Sequence, residues 1–340
     1  MKIIKLMTVF CIVCGISACT TEKEVNKLSE LVFIGVPSMD PELILNRLEP
    51  MKEEIKTRML ENGYDIETVD FVVSTNNNAA GEALSSGSTL MGFMGGSTFI
   101  DYESEGLEII MTALRGNMEI DSLDPRDWNT GKSVNRSKSD KVPYTRALIY
   151  AGPSPKGEVL SNKILNNEIL TWNDLNDVTW CHSSSVNSGL GYVFPSLWLY
   201  ENYGKTLKDL KSVLLMNNNG DYAINLALEN CDVAVSYVTL RNDYEEKWTS
   251  EFNRKAYIWN EIQVIGVSAE IPNGVIVLSQ NHPDYSEELR DVLVNVFMEL
   301  TNTEAGIEAF GVYNIEGFQL GQSEDFETLR KANNLVRGLQ

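Results

Sequence analysis

Short apolar runs alternate with helical stretches along most of the chain. "LVFIGV" (31–36) is continuous and bounded by turn residues, the pattern of a buried strand. Asp40-Pro41 follows, a helix cap with proline at the first helical position. Pro50 interrupts what would be one long helix and opens a second, in which Met51, Ile55 and Met59 share a face. Asn62-Gly63 ends it. "IETVDFVV" (66–73) is the next strand, "AAGEALSSG" (79–87) a short helix, and "LMGFM" (90–94) and "LEIIMTAL" (107–114) are strands. Residues 115–143 are rich in Asp, Asn, Lys and Ser and read as a long surface insertion. Further strands are expected at "RALIYAG" (146–152), "VTWC" (178–181), "SVLLM" (212–216) and "DVAVSY" (232–237), with amphipathic helices at 285–301 and about 324–337. This alternation predicts an α/β protein with mainly parallel sheets flanked by helices.

The first 19 residues do not fit this pattern. Lys2 and Lys5 precede an apolar run from Leu6 to Ile16, too short to span a bilayer and right for a signal-peptide core. Ile16-Ser17-Ala18-Cys19 resembles the bacterial lipobox, which implies cleavage before Cys19 and lipid on its thiol. Residues 1–18 are then a signal peptide, and the polar stretch that follows is a lipidated tether over 19–29. Cys11 and Cys14, spaced like a redox pair, fall in the removed segment. Cys181 and Cys231 remain. An exported protein permits one disulfide between them, while the apolar runs beside each fit two buried free thiols.

Composition narrows the function. The formal charge is −20, and losing two lysines with the leader makes it −20 − 2 = −22. Such a chain repels nucleic acid and anionic lipid surfaces. Hydrophobic content of 43% is enough for a sizeable core. G-x-S-x-G, P-loop, G-x-G-x-x-G and H-E-x-x-H motifs are missing, as are Cys/His clusters for a metal. His182 and His282 are the two histidines, and a hydrolase would need His182 as base for a hydroxyl in 183–188.

Two loops carry the candidate chemistry. "GFMGGSTFIDY" (92–102) and "HSSSVNSGLGYVFPSLWLYENYG" (182–204) each place glycines and small hydroxyl or amide residues where a strand hands over to a helix. Backbone N–H groups are free at that point, glycine admits close approach, and Ser, Thr or Asn adds donors. An oxyanion can be held there without a cation nearby.

These segments resemble the substrate-binding proteins of ABC importers in the phosphate/phosphite/phosphonate class. The likeness runs from about Val32 to Val336, through "EALSSGSTLMGFMGGSTFIDY", "SGLGYVFPSLWLYENYG", "GDYAINLALENCDVAVSY" and "VIGVSAEIPNGVIVL". It implies a two-lobed periplasmic-binding-protein fold (type II) with a two-strand hinge: 30–146 and 267–340 as lobe 1, 147–266 as lobe 2. It also implies a non-enzymatic lipoprotein, anchored outside the cytoplasm and monomeric, without cofactor or metal. Such a protein captures phosphate, phosphite or an organophosphonate for an ABC permease; the alternatives are a ligand-sensing lipoprotein serving a membrane receptor kinase, and a serine hydrolase. Carried onto this sequence, the ligand residues are Gly96, Ser97 and Thr98, with Asn76 to Asn78 beside them, from lobe 1. Lobe 2 supplies Ser185, Asn187, Ser188 and Gly189, with Tyr144 near the hinge and Asp221 and Tyr222 opening a helix. Asp232 is expected to face the cleft and meet a ligand amine or P–OH proton. The chain departs from the family at Gly220, where histidine is common, and at Asn273-Gly274-Val275, where Asn-Asp-Thr is common. With fewer hydroxyls, either backbone amides bind more of the ligand or the ligand is not a simple phosphorus oxyanion.

Overall fold

In the computed structural model, residues 25–338 are described, apart from Met39 and Asn218. The leader, Cys19 and the start of the tether lie outside the described residues. The tether is shorter than its polarity suggests. Strand β1 (Asn26–Gly35) begins inside it, because Leu28 and Leu31 are buried while the polar residues between them face out.

The chain builds one sheet, crosses to a second, and returns. β1 pairs in parallel with β2 (Tyr64–Val73) and β3 (Met91–Met94). β4 (Leu107–Met118) and β5 (Arg136–Val142) form an antiparallel pair. After β6 (Tyr144–Thr145) come β7 (Ala147–Ala151), β8 (Trp180–Ser183), β9 (Val213–Met216), β10 (Val233–Tyr237) and β11 (Gln263–Val267). β12 (Ile271–Pro272) leads back to β13 (Val275–Ser279) and β14 (Gly317–Leu320). The first sheet has the order β14-β4-β13-β3-β1-β2 with β5 on β4, and the second β11-β7-β10-β8-β9. The expected α/β class holds, but the sheets are mixed rather than mainly parallel. β13 runs against β3 and β4, and β7 runs against β10 and β11. These strands carry the chain into and out of each sheet side by side, so they must point in opposite directions.

Caps follow the sequence. Asp40 Oδ1 accepts the N–H groups of Glu42 and Leu43 ahead of the helix Pro41–Leu48. Met51, Ile55 and Met59 are all buried, and the chain leaves that helix through Gly63 at φ 88°. One apolar core covers a face of the first sheet, where the Phe33 and Phe297 rings stack 5.7 Å apart. A second joins residues of both sheets, from Phe99 and Phe326 to Trp180 and Phe194.

Two strands make the crossing. β6 pairs antiparallel with β12, Tyr144 opposite Pro272 and Thr145 opposite Ile271. Arg146, next in the chain, is buried there. Its Nε donates to Asp121 Oδ1 at 2.5 Å, one terminal nitrogen to the Ser268 carbonyl at 3.2 Å and the other to Glu270 at 3.1 Å. Tyr144 donates its hydroxyl to the other Asp121 oxygen at 2.6 Å. Burial alone would raise the Asp121 carboxyl, but hydrogen bonds from Arg146 and Tyr144 and the Arg146 charge bring it below its usual range.

Residues 115–143 are not merely a surface insertion. β4 runs on to Met118, and Trp128 is buried with its indole N–H on the Ser122 carbonyl. Asn129 exchanges two 2.8 Å hydrogen bonds with the backbone of Val264, extending the edge of β11. Buried Arg241 donates to the Trp128 carbonyl and lies 4.1 Å from the centre of the Trp259 ring. The segment is polar in bulk but anchored by single residues.

Cys181 and Cys231 are a disulfide, not free thiols. The parallel register that sets Trp180 opposite Val233 brings their Cα atoms to 5.9 Å. The sequence separation is 50 residues, and closing a ring of that size stabilises the fold by about 4 kcal/mol in the chain-entropy account. Paired Cys181→Ser and Cys231→Ser substitutions should therefore lower the denaturant midpoint by an amount equivalent to about 4 kcal/mol. Identical midpoints for the variant and the oxidised protein would show that the bond contributes nothing.

Candidate functional site

A cavity of about 710 Å³ lies between the two sheets, with the crossing strands as its floor. The first sheet's side supplies Asn76 to Asn78 and Gly95 to Thr98. β3 ends at Met94, Gly95 stays extended, and the helix Gly96–Tyr102 starts with no side-chain cap. Its first amides are thus left to other partners. Gly96 cannot be larger: a Cβ there would lie 2.7 Å from the Phe326 ring.

The opposite wall is Ser183, Ser185, Asn187 to Gly191, Asn217, Tyr222, Ser236 and Tyr237. Ser188 organises its loop. Its Oγ accepts the Gly191 N–H at 3.1 Å, and its carbonyl accepts those of Tyr192 and Val193 at 2.9 Å each. The π-helical turn Gly189–Val193 then feeds the helix Phe194–Tyr203. So the small donors before Pro195 partly build a turn, and the turn brings the loop to the other wall. A Cβ on Gly189 would stand 3.9 Å from Ser97 Oγ.

Arg115 is, among the described residues, the one cation lining this cavity. Burial first, and then repulsion from Arg136, pull its guanidinium down to about 10, with Glu316 opposing. It is still charged at neutral pH. One terminal nitrogen donates to the Tyr313 carbonyl at 3.0 Å, while Nε is buried without a hydrogen-bond partner among the described residues. Ser236 Oγ and Asn273 Oδ1, also on the cavity wall, share that condition. Such atoms cost stability unless something fills them. Tyr222 is pushed up to about 12, by burial above all and by Asp221, against a hydrogen bond with Ser183, and so remains a neutral phenol.

Most predicted site residues meet here. Gly96, Ser97, Thr98, Ser185, Asn187, Ser188, Gly189 and Tyr222 all line the cavity. Three do not. Tyr144 is at the crossing, but its hydroxyl is committed to Asp121. Asp221 lies in the first turn of the helix Asn219–Ala227, off the cavity wall. Asp232 faces away: its carboxylate accepts the Ser154 hydroxyl at 2.6 Å and the Thr179 N–H at 2.7 Å, tying β10 to its neighbours. The expectation that it faces the cleft is not met. Arg115 was missed because β4 reads as ending at residue 114, which left a lone cation in an apparently external segment. A cation closing the apolar run "LEIIMTALR" was the available signal. Asp101, also on the wall, is paired with Arg337 at 2.6 Å.

His182 is buried off the cavity wall, and its Nδ1 is 2.9 Å from the Ser183 carbonyl rather than a hydroxyl. Burial lowers its pKa. Among the described residues no group of three His, Cys, Asp or Glu is arranged to hold a metal ion.

The chain matches the family described as "ABC transporter, phosphonate, periplasmic substrate-binding protein" over residues 33–326. No curated protein sequence matches it. Solved structures share the fold at low identity. XAC2383 of Xanthomonas citri bound to ATP is 14% identical, with TM-score 0.61, covering 91% of this chain and 98% of its own. PhnD1 of Prochlorococcus marinus MIT 9301, in complex with methylphosphonate, is 13% identical with TM-score 0.58, covering 91% and 98%. The p37 protein of Mycoplasma hyorhinis, a candidate thiamine pyrophosphate transporter, is 13% identical with TM-score 0.66, covering 91% and 100%.

The two loop glycines should respond differently to a methyl group. At Gly191 a Cβ would meet Ser183 Cβ at 2.7 Å and the Tyr222 hydroxyl at 3.0 Å, whereas at Gly189 its nearest neighbour is 3.7 Å away. Gly191→Ala should cost roughly 1–3 kcal/mol in denaturant unfolding and Gly189→Ala less than about 1 kcal/mol. Equal losses would mean the loop is not packed as described.

Proposed function

Because this chain belongs to the family of periplasmic substrate-binding proteins of phosphonate ABC transporters, we propose that its interlobe cavity captures a phosphorus oxyanion and that closure on it presents the complex to the permease. Family membership makes it a substrate-binding transport component outside the cytoplasm, not an enzyme. Among the described residues no helix is long and apolar enough to cross a membrane. The lobes in this reading are about 30–146 with the chain from 267 onward, and 147–266, with β1 carrying the first lobe back to Asn26.

One observation supports the reading most. Two loops from opposite sheets, each with small donors, face one cavity that a single guanidinium, mostly buried, also lines. In a chain of formal charge −20, Arg115 supplies the local positive field that an anion needs. The open amides of Gly96 to Thr98, the Ser188 hydroxyl and the Arg115 guanidinium then face the ligand's oxygens. The relatives bound to methylphosphonate and ATP are consistent with this chemistry. With Asp232 turned away, the reason to prefer a ligand that donates a proton or carries an amine falls too.

Calorimetric titration with methylphosphonate, phosphate, phosphite and sulfate, with choline as control, tests the reading. Arg115→Gln removes one charge-assisted hydrogen bond, about 1.5–3 kcal/mol, so affinity should fall ten- to a hundred-fold. Binding of choline and of none of the phosphorus compounds would place the ligand in another class.

We also propose a lipid anchor at Cys19, supported by Ile16-Ser17-Ala18-Cys19. Cys19→Ala should abolish palmitate labelling in cells, and persistent labelling would locate the acyl chain elsewhere.

A further inference from the structure

A second cavity, of about 890 Å³, opens beyond Arg115. Arg115 lines both cavities. The second is also built from both halves of the molecule: Asn242 and Asp243 come from the segment after β10, Asn302, Asn314 and Glu316 from the segment before β14. Its charge is unlike that of the chain. Arg115, Arg136, Lys138 and Lys141 line it against Asp243 and Glu316, four cations to two anions.

Lys138 and Lys141 are exposed, but Arg115 and Arg136 are withdrawn from solvent. Arg136 and Lys138 are two residues apart on β5 and so project to the same side. Arg136 is held by the Gly116 carbonyl at 2.8 Å, which keeps it from swinging outward. Burial makes both Arg115 and Arg136 easier to deprotonate; at Arg115 repulsion from Arg136 adds to it, while Glu316 and Asp243 oppose it at Arg136. Neutral amides and hydroxyls and the apolar Ile307, Phe310 and Ile315 complete the wall, and Asn242 Oδ1 is buried without a hydrogen-bond partner among the described residues. Concave sites of this size suit ligands well beyond a single phosphonate group.

Resting on the function proposed above, we propose that the ligand carries two anionic groups on a spacer. Its phosphonate or phosphate sits between the two loops, and its second anion reaches past Arg115 into the groove lined by Arg136, Lys138 and Lys141. The substrate class is thus an extended phosphono acid or phosphate ester rather than methylphosphonate.

The test is a calorimetric series at low salt on the wild-type soluble domain: methylphosphonate, phosphonoacetate, 4-phosphonobutyrate and 6-phosphonohexanoate. One of the carboxylate-bearing ligands should bind at least ten-fold more tightly than methylphosphonate, with the gain shrinking as salt rises. Lys138→Glu, at an exposed position, should remove most of that gain and leave methylphosphonate within about two-fold of wild type; Lys138→Gln should remove part of it. If methylphosphonate binds and no longer ligand binds better, the groove has no such role and the oxyanion reading stands. A gain indifferent to Lys138→Glu also overturns the proposal. If methylphosphonate and all three longer ligands fail to bind, the oxyanion reading falls, and this proposal with it.

Discussion

Arg146 is where the two halves of the molecule are held in register. It sits at the point where β6 gives way to β7, and its guanidinium reaches Asp121 on the outgoing segment and Ser268 and Glu270 on the returning one. Removing one partner of a buried pair leaves the other uncompensated, a loss of about 3–5 kcal/mol. The same fixed point aligns the cavity floor, since Thr145 and Ile271 pair directly beside it. Any opening of the cleft must turn about strands that this guanidinium joins. Side-chain bonds reinforce the paired backbone there, which extends from Asn273 N–H on the Pro143 carbonyl to Ser268 N–H on the Ala147 carbonyl.

The legible part of the fold was the part written as periodicity. Strand runs such as 31–36 and 66–73, the Asp40 cap and the Met51, Ile55, Met59 stripe follow from local spacing, which decides burial on its own. Strand direction was not legible, because it depends on where the chain crosses between sheets. Nor was the anchoring of 115–143, which relies on Trp128 and Asn129 finding partners more than a hundred residues away. The site divides similarly. Glycine and hydroxyl loops announce themselves in sequence, and both reached the cavity. Asp232 did not, because an acid at a strand's start serves equally well to bind neighbouring N–H and O–H groups, and here it does.

Charge is distributed with the same economy. The chain is acidic overall, yet Arg115, Arg136, Lys138 and Lys141 lie together in one groove beside the cleft. An acidic exterior lowers the local anion concentration around the protein, so capture rests on short-range contacts within the cleft rather than on long-range steering. That favours ligands recognised by close geometry over those gathered by field alone.

The Cys181–Cys231 bond encloses Ser183, the whole Ser185–Gly191 loop and Tyr222 within one covalent ring. A protease that cuts the peptide chain once anywhere inside this ring leaves a single molecule, with the two ends still joined through sulfur. Most of one wall of the cavity is therefore kept attached after a nick, all but Ser236 and Tyr237. Its opposite wall, drawn from residues outside the ring, has no such safeguard and depends on packing for its integrity.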